Sequence, residues 1–240
     1  MSRLVSVAHI HLEDGAFSPE WVIIWSVVAG AMVALALLVL RKGKVTPRKL
    51  AIAAMCTSVG FAAFQVSIPI FGGIHLNLTP LIGILAGPAL GSLSVLIINI
   101  FSASIGHGGW GMVGANTIVN MTEVLVAYYF YRLVRSKLDF NRFFSGLGAA
   151  IFALSVSALV IIGIVAVSGL QDSEQTKEEV LGNMLLIAAA NIVAGVIEGV
   201  ITGYVVSFIS KIRPDLLSDA EGNGRQDPDT ASEDIDAASD

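Results

Sequence analysis

Four histidines and two buried-looking acids hold the chemistry that this sequence can do. His9 and His11 stand in Ala8-His9-Ile10-His11-Leu12-Glu13-Asp14-Gly15, directly before the first long apolar run. His75 stands in Phe71-Gly72-Gly73-Ile74-His75-Leu76-Asn77, and His107 in Ser104-Ile105-Gly106-His107-Gly108-Gly109-Trp110-Gly111. A neutral imidazole is the commonest ligand for the borderline ions Zn, Cu, Fe and Ni; it binds above its pKa of ~6.5 and releases on acidification. Segments that are glycine-rich or terminal can fold back into a cavity, so His9, His11, His75 and His107 are the candidate metal ligands. For each of them, the plain alternative is a surface histidine in a loop. The single Cys56 lies in an apolar run, which leaves no disulfide framework and no cysteine-based metal site. Glu123 and Glu198 also fall inside apolar runs, where an acid is either functional or a polar contact within a helix bundle. Asn116 and Asn120 share roughly one helical face with Glu123 and read as interhelical hydrogen bonders.

The elements that must position these residues are membrane spans. The chain is 55% hydrophobic and only 14% charged, with a mean hydropathy of +0.77, against about a quarter charged for a soluble domain. Trp21 to Leu40 carries no charge, is flanked by Trp21 and Trp25 on one side and Arg41-Lys42-Gly43-Lys44 on the other, and is long enough to cross ~30 Å of hydrocarbon. It is too long for a signal peptide and lacks the basic region close before it. A second run, Leu50 to Phe71, is rich in Ala and Gly, which let helices approach closely. Leu78 to Ile105 is too long for one span and is broken by Gly87-Pro88, so two shorter helices meeting at a tight turn are expected. Further spans are expected over Met112 to Tyr131, Phe144 to Leu170 and Leu181 to Ile209.

The fold class expected is thus an all-α polytopic membrane protein, a bundle of about seven transmembrane helices in the cell membrane. Its organisation is an extracellular segment over residues 1–20, the bundle over 21–210, and a disordered acidic cytoplasmic tail over 211–240. Asp219 to Asp240 holds eight acids against Arg225, which leaves the rest of the chain at about +2. Twelve of the fourteen Lys and Arg residues fall in the loops after spans one, five and seven and in the tail, so these face the cytoplasm and the N-terminus lies outside. All four histidines then fall on the outer face.

The residues resemble a known family, the CbiM/NikM substrate-binding membrane components of energy-coupling-factor importers for cobalt and nickel. His11-Leu12-Glu13-Asp14-Gly15 is similar to the family's opening segment, Gly73-Ile74-His75-Leu76 to its Gly-His-Leu, and Gly87-Pro88 to its Gly-Pro turn. His107-Gly108-Gly109, Gly114-Ala115-Asn116 and Asn120-Met121 resemble its His-Gly-Gly, Gly-Ala-Asn and Asn-Met run, and Ile197-Glu198-Gly199-Val200-Ile201-Thr202 its late Glu-Gly-X-X-Thr segment. The resemblance implies a near-planar nitrogen site made by a free N-terminal amine, a backbone amide, a histidine in second position and His75. Such ligation favours Ni(II) and Cu(II), with Co(II) accepting it less readily without further ligands. Here Met1 to Val7 precede Ala8-His9, so two registers compete. His11 matches when counted from Asp14-Gly15, and His9 matches if the mature chain starts at Ala8 because Val7 is an alternative start.

The resemblance implies capture and import of cobalt or nickel, cobalt being the closer match, in supply of cobalamin synthesis. The metal is then cargo; no resident cofactor, catalytic residue or nucleic-acid partner is expected. No P-loop occurs in the sequence, so energy would come from partners: a membrane coupling subunit, cytoplasmic ABC ATPases and a small accessory membrane subunit, with Leu50 to Ala63 a docking face. The rival reading is a proton-coupled secondary transporter relaying through Glu123 and Glu198, although the inverted repeats usual in such proteins are not seen.

Overall fold

The structure is a computed structural model that describes residues 15–43, 45–68, 74–169, 177–218 and 220–221. Among the described residues there are six α-helices: α1 (Pro19–Lys42), α2 (Pro47–Phe64), α3 (Thr79–Ser104), α4 (Val113–Leu133), α5 (Arg142–Ser168) and α6 (Lys177–Ile212). Between α2 and α3 lies a small antiparallel pair, β1 (Ser67–Ile68) and β2 (Ile74–His75), in which Ser67 faces His75 and Ile68 faces Ile74. Among the described residues four segments are long and apolar enough to cross a membrane: α1, α3, α5 and Ile192–Ile212 of α6. The helix α4, which is not among them, carries Asn116, Thr117, Asn120 and Glu123, all turned into the bundle. Apart from that short β pair, the protein is a helical, multi-pass membrane protein.

Local chemistry sets the helix ends. Pro19 and Pro47 occupy first-turn positions where no N–H is needed, and the Thr46 hydroxyl accepts from the Lys49 amide at 3.3 Å. Arg41 and Lys42 stabilise the negative end of α1, and Gly43 closes it. Helix α2 stops at Phe64, seven residues short of the expected Phe71, because the chain turns at Gln65 and Ser67-Ile68 leave the helix to pair with β2.

The expected break at Gly87-Pro88 is present. Gly87 takes φ 79° and ψ 174°, a left-handed region open to glycine, and Pro88 lacks the N–H to continue the ladder. A Cβ added at Gly91 would lie 3.6 Å from the Gly83 Cα, so residues eight apart lie side by side. Helix α3 is therefore doubled back into arms 79–86 and 88–104. At 1.5 Å per residue the first arm is about 12 Å long, less than half of the hydrocarbon thickness.

Helices α5 and α6 meet along Gly195, Gly199 and Gly203. A Cβ would lie 3.6 Å from Leu154 Cβ at the first, 2.9 Å from the Leu147 carbonyl oxygen at the second and 2.6 Å from that of Phe143 at the third. The spacing of four keeps these glycines on one face, where two backbones close to contact. Glu198 shares this stretch of α6 and is wholly buried.

Part of the segment expected to be disordered is folded. Pro214–Leu217 forms a 3-10 turn, Leu217 and Ala220 are buried against α3, α4 and α6 residues, and Glu221 is held by ion pairs. Composition alone misreads these residues because the acids of 219–240 mask the apolar Leu216-Leu217 before them. Residues 222–240 lie outside the described residues.

Candidate functional site

The middle of α4 places Glu123 at the centre of a buried polar cluster. Asn77 and Thr79, at the entrance to α3, descend to the level of that glutamate. The Asn77 amide donates to Glu198 Oε1 at 2.8 Å, and its side chain donates to Asn120 Oδ1 at 3.3 Å and Glu123 Oε2 at 3.5 Å. The Thr79 hydroxyl donates to Glu123 Oε2, and Ser157 on α5 donates to Glu123 Oε1 at 2.7 Å. Asn120 continues the network to Asn99 Oδ1 at 3.1 Å, and Asn99 to Thr117 Oγ1 at 3.2 Å. Every one of these side chains is buried. A buried carboxylate is tolerated only when hydrogen-bonded, and here donors converge on it from α3, from the residues leading into α3 and from α5.

The four candidate ligands fare differently. His9 and His11 lie outside the described residues. The backbone of His75 is fixed in β2 opposite Ser67, two residues before Asn77; its side chain lies outside the described residues. His107 sits in the turn between α3 and α4, its amide donating to the Ser102 carbonyl at 2.9 Å. Its ring meets Phe64 edge-on, with centroids 4.9 Å apart and planes at 74°. Phe64 ends α2 three residues before Ser67, so the His75 backbone and the His107 ring are both tied to that end of α2. Among the described residues no group of three or more His, Cys, Asp or Glu side chains converges to hold a metal.

Sequence reading placed Glu123, Glu198, Asn116 and Asn120 inside the bundle correctly, and Asn120 is a helix-to-helix hydrogen bonder as expected. It missed Thr79, Asn99, Thr117 and Ser157. The usable signal was Asn77-Leu78-Thr79-Pro80, polar residues immediately before a proline at a helix start. For Ser157, alone in an apolar run, there was none.

At the other end of α4 the basic residues gather. A cleft of about 480 Å³ lies between the ends of α1 and α2, the Gly87-Pro88 elbow, and the Pro214–Leu217 turn, with Arg48, Lys49 and Arg132 on its walls. Arg48 pairs with Asp215. Glu221 accepts from Arg142 Nε at 2.7 Å and Nη2 at 3.0 Å, with Arg135 Nε at 3.4 Å. Desolvation opposes the charge of Glu221, but hydrogen bonding and attraction from Arg142, with Arg135, outweigh it and hold the carboxyl below its ordinary value.

A multi-pass helical bundle with a buried polar cluster, a histidine-bearing turn at one end and basic residues at the other defines the class: an integral membrane protein. Residues 11–216 match the model of the CbiM family, described as "Cobalt uptake substrate-specific transmembrane region". The chain belongs to that family, a family of metal transport rather than of enzymes. It is 28% identical over 135 residues to a putative cobalt transport protein CbiM of Methanococcus voltae, covering 54% of this chain and 61% of that one. It is 28% identical over 165 residues to the cobalt transport protein CbiM of Clostridium cellulovorans, covering 62% and 61%. The alignments thus span about six-tenths of the length of these two relatives. A putative metal transport protein of Haemophilus influenzae is 20% identical over 218 residues, covering 88% and 98%. The fold is shared with crystal structures of a truncated transition metal transporter (TM-score 0.74, 22% identity, 84% of this chain and 99% of that one) and of a transition metal transporter (TM-score 0.71, 23% identity, 85% and 93%).

Proposed function

We propose that this chain is the metal-capturing membrane subunit of an ATP-driven importer of the energy-coupling-factor type, taking up Co(II) or Ni(II) from the outer face. The observation that carries the reading is the loop after His75, drawn into the bundle and hydrogen-bonded to Glu198 and Glu123 two to four residues further on. A loop fixed in this way can present an imidazole at a constant position to a metal. The remaining nitrogen ligands come from the N-terminal segment: His9 with a free Ala8 amine, or His11. His107, at the same end, closes the site against Phe64.

In this reading the chain crosses the membrane seven times, the short arm of α3 and the residues leading into it counting as one passage. The N-terminus faces outward and the basic end faces the cytoplasm, where the coupling subunit, the ABC ATPases and an accessory membrane subunit dock. The family description and the names of the relatives favour cobalt, and with it supply to cobalamin synthesis. No cofactor is needed; the ion is the substrate.

Reconstitution in vesicles with and without the partner subunits tests this. Uptake of radiolabelled Co(II) should require the ATPases and ATP. Uptake by the chain alone under a pH gradient would overturn the reading in favour of a proton-coupled carrier. His75→Ala should abolish high-affinity binding of Co(II) and Ni(II) in calorimetry while leaving the bundle folded.

A further inference from the structure

We infer that Glu198 and Glu123 are positioning residues, a two-point clamp on Asn77–Thr79 that fixes where the His75 loop lies, rather than proton carriers. The inference rests on the metal-capture reading above. Its first support is that the bond to Glu198 comes from the backbone N–H of Asn77, at 2.8 Å, so it fixes the path of the chain whatever side chain stands there. The second is convergence. Glu123 receives the Thr79 hydroxyl, the Asn77 side-chain amide and the Ser157 hydroxyl, so that α4, α5 and α6 all contribute to one anchorage.

The third support is the backbone between the clamped residues. Leu78 takes φ 51° and ψ 15°, a left-handed conformation that a leucine holds only where its surroundings impose it. On the other side His75 is tied through its pairing with Ser67. The histidine is thus strung between two anchors, the ladder before it and the clamp after it.

The residue type follows from the donors. Two N–H groups and two hydroxyls point at these acids, and a carboxylate is the side chain that only accepts. An amide at position 123 would turn its own NH2 towards a donor. At position 198 a glutamine would still offer Oε1 to the Asn77 amide. This separates the two roles: a proton relay at 198 fails with either Gln or Leu, whereas a clamp fails with Leu and survives Gln.

The test uses the full-length chain in detergent with its native N-terminus, titrated with NiCl2 and CoCl2 by calorimetry, and amide hydrogen exchange over residues 74–79. Glu198→Leu should weaken binding by about 10–100-fold, as loss of groups that orient metal ligands does, and should speed exchange at 76–79. Glu198→Gln should keep both close to the unaltered chain. If Glu198→Leu does not fold, Thr79→Val, which removes one donor to Glu123, should give a smaller loss of affinity in the same direction. Normal affinity in Glu198→Leu beside normal binding by the unaltered chain overturns the clamp alone, as does equal damage by Gln and Leu. An unaltered chain that binds neither metal overturns the capture reading itself.

Discussion

Adding one methyl group at each of Gly195, Gly199 and Gly203 should give three different outcomes along one seam. At Gly203 the new Cβ would lie 2.6 Å from the Phe143 carbonyl oxygen and 2.9 Å from the edge of its ring. The oxygen belongs to a helix backbone and cannot swing aside, so α5 and α6 must separate. At Gly199 the obstruction is again a carbonyl oxygen, that of Leu147, at 2.9 Å. At Gly195 the nearest atom is Leu154 Cβ at 3.6 Å, an ordinary contact. Overpacking of this kind costs about 1–3 kcal/mol, while alanine is favoured over glycine in a helix by about 1 kcal/mol. Gly195→Ala should therefore be neutral or stabilising, Gly199→Ala destabilising, and Gly203→Ala the most destabilising, by about 1–2 kcal/mol net after the propensity gain. Thermal unfolding of the purified protein in detergent, followed by far-ultraviolet circular dichroism, reads the series at about 2–4 °C per kcal/mol. Equal midpoints for all three variants, or Gly195→Ala as unstable as Gly203→Ala, would refute the close backbone approach.

Three more perturbations probe the ends of the bundle. The Glu221 carboxyl is held below its ordinary value in the folded chain, so its contribution is present above the ordinary glutamate pKa of ~4.3 and is lost as pH falls through the lower folded value. Glu221→Gln should cost about 1 kcal/mol at pH 7, discounted for the part-exposed Arg142, and should flatten the acid limb of a denaturation–pH profile; an unchanged limb would count against the pairing. Leu217→Asp, placing a charge at a buried position, should release the turn after α6 and expose Arg142 to proteolysis, whereas an unchanged digestion pattern would show that the turn is not held there. Intact-mass measurement on the native protein separates the two registers: a chain beginning at Ala8 places His9 in second position, whereas a start at Met1 or Ser2 removes His9 from that role.

Helix ends were legible wherever a residue type dictates them. Gly87-Pro88 acts locally, and the structure has the expected break there, whereas α1 runs on to Lys42 and α2 starts already at Pro47, two and three residues beyond the apolar runs that marked them. The end of α2 was misread because Val66, Ile68 and Ile70 are as apolar as the helix before them. Their alternation and Pro69 were the contrary signal, since β-branched residues at every second position suit a strand. The acids of the site could be picked out as polar residues in apolar runs, but their partners could not. Asn77 and Glu198 are 121 residues apart, and Ser157 and Glu123 are 34 apart, so only the tertiary fold joins them. The same holds for Arg142 and Glu221, whose pairing folds a segment that composition assigns to a solvated tail.

The short arm of α3 has one more consequence. Because the chain doubles back at Gly87, the arm begins level with the middle of α4 instead of at a membrane surface. Its N-terminal end brings the positive pole of a helix, equivalent to about half a unit charge, to the depth of Glu123 and Glu198. The two acids face that pole and the donors beside it. A hard ion such as Mg(II) or Ca(II) seeks several free oxygens, whereas both Glu123 oxygens and Glu198 Oε1 accept peptide, amide or hydroxyl hydrogens. Three of the four carboxylate oxygens at that depth are thereby committed to holding the chain around Asn77–Thr79, and Ser157 beside it, in place.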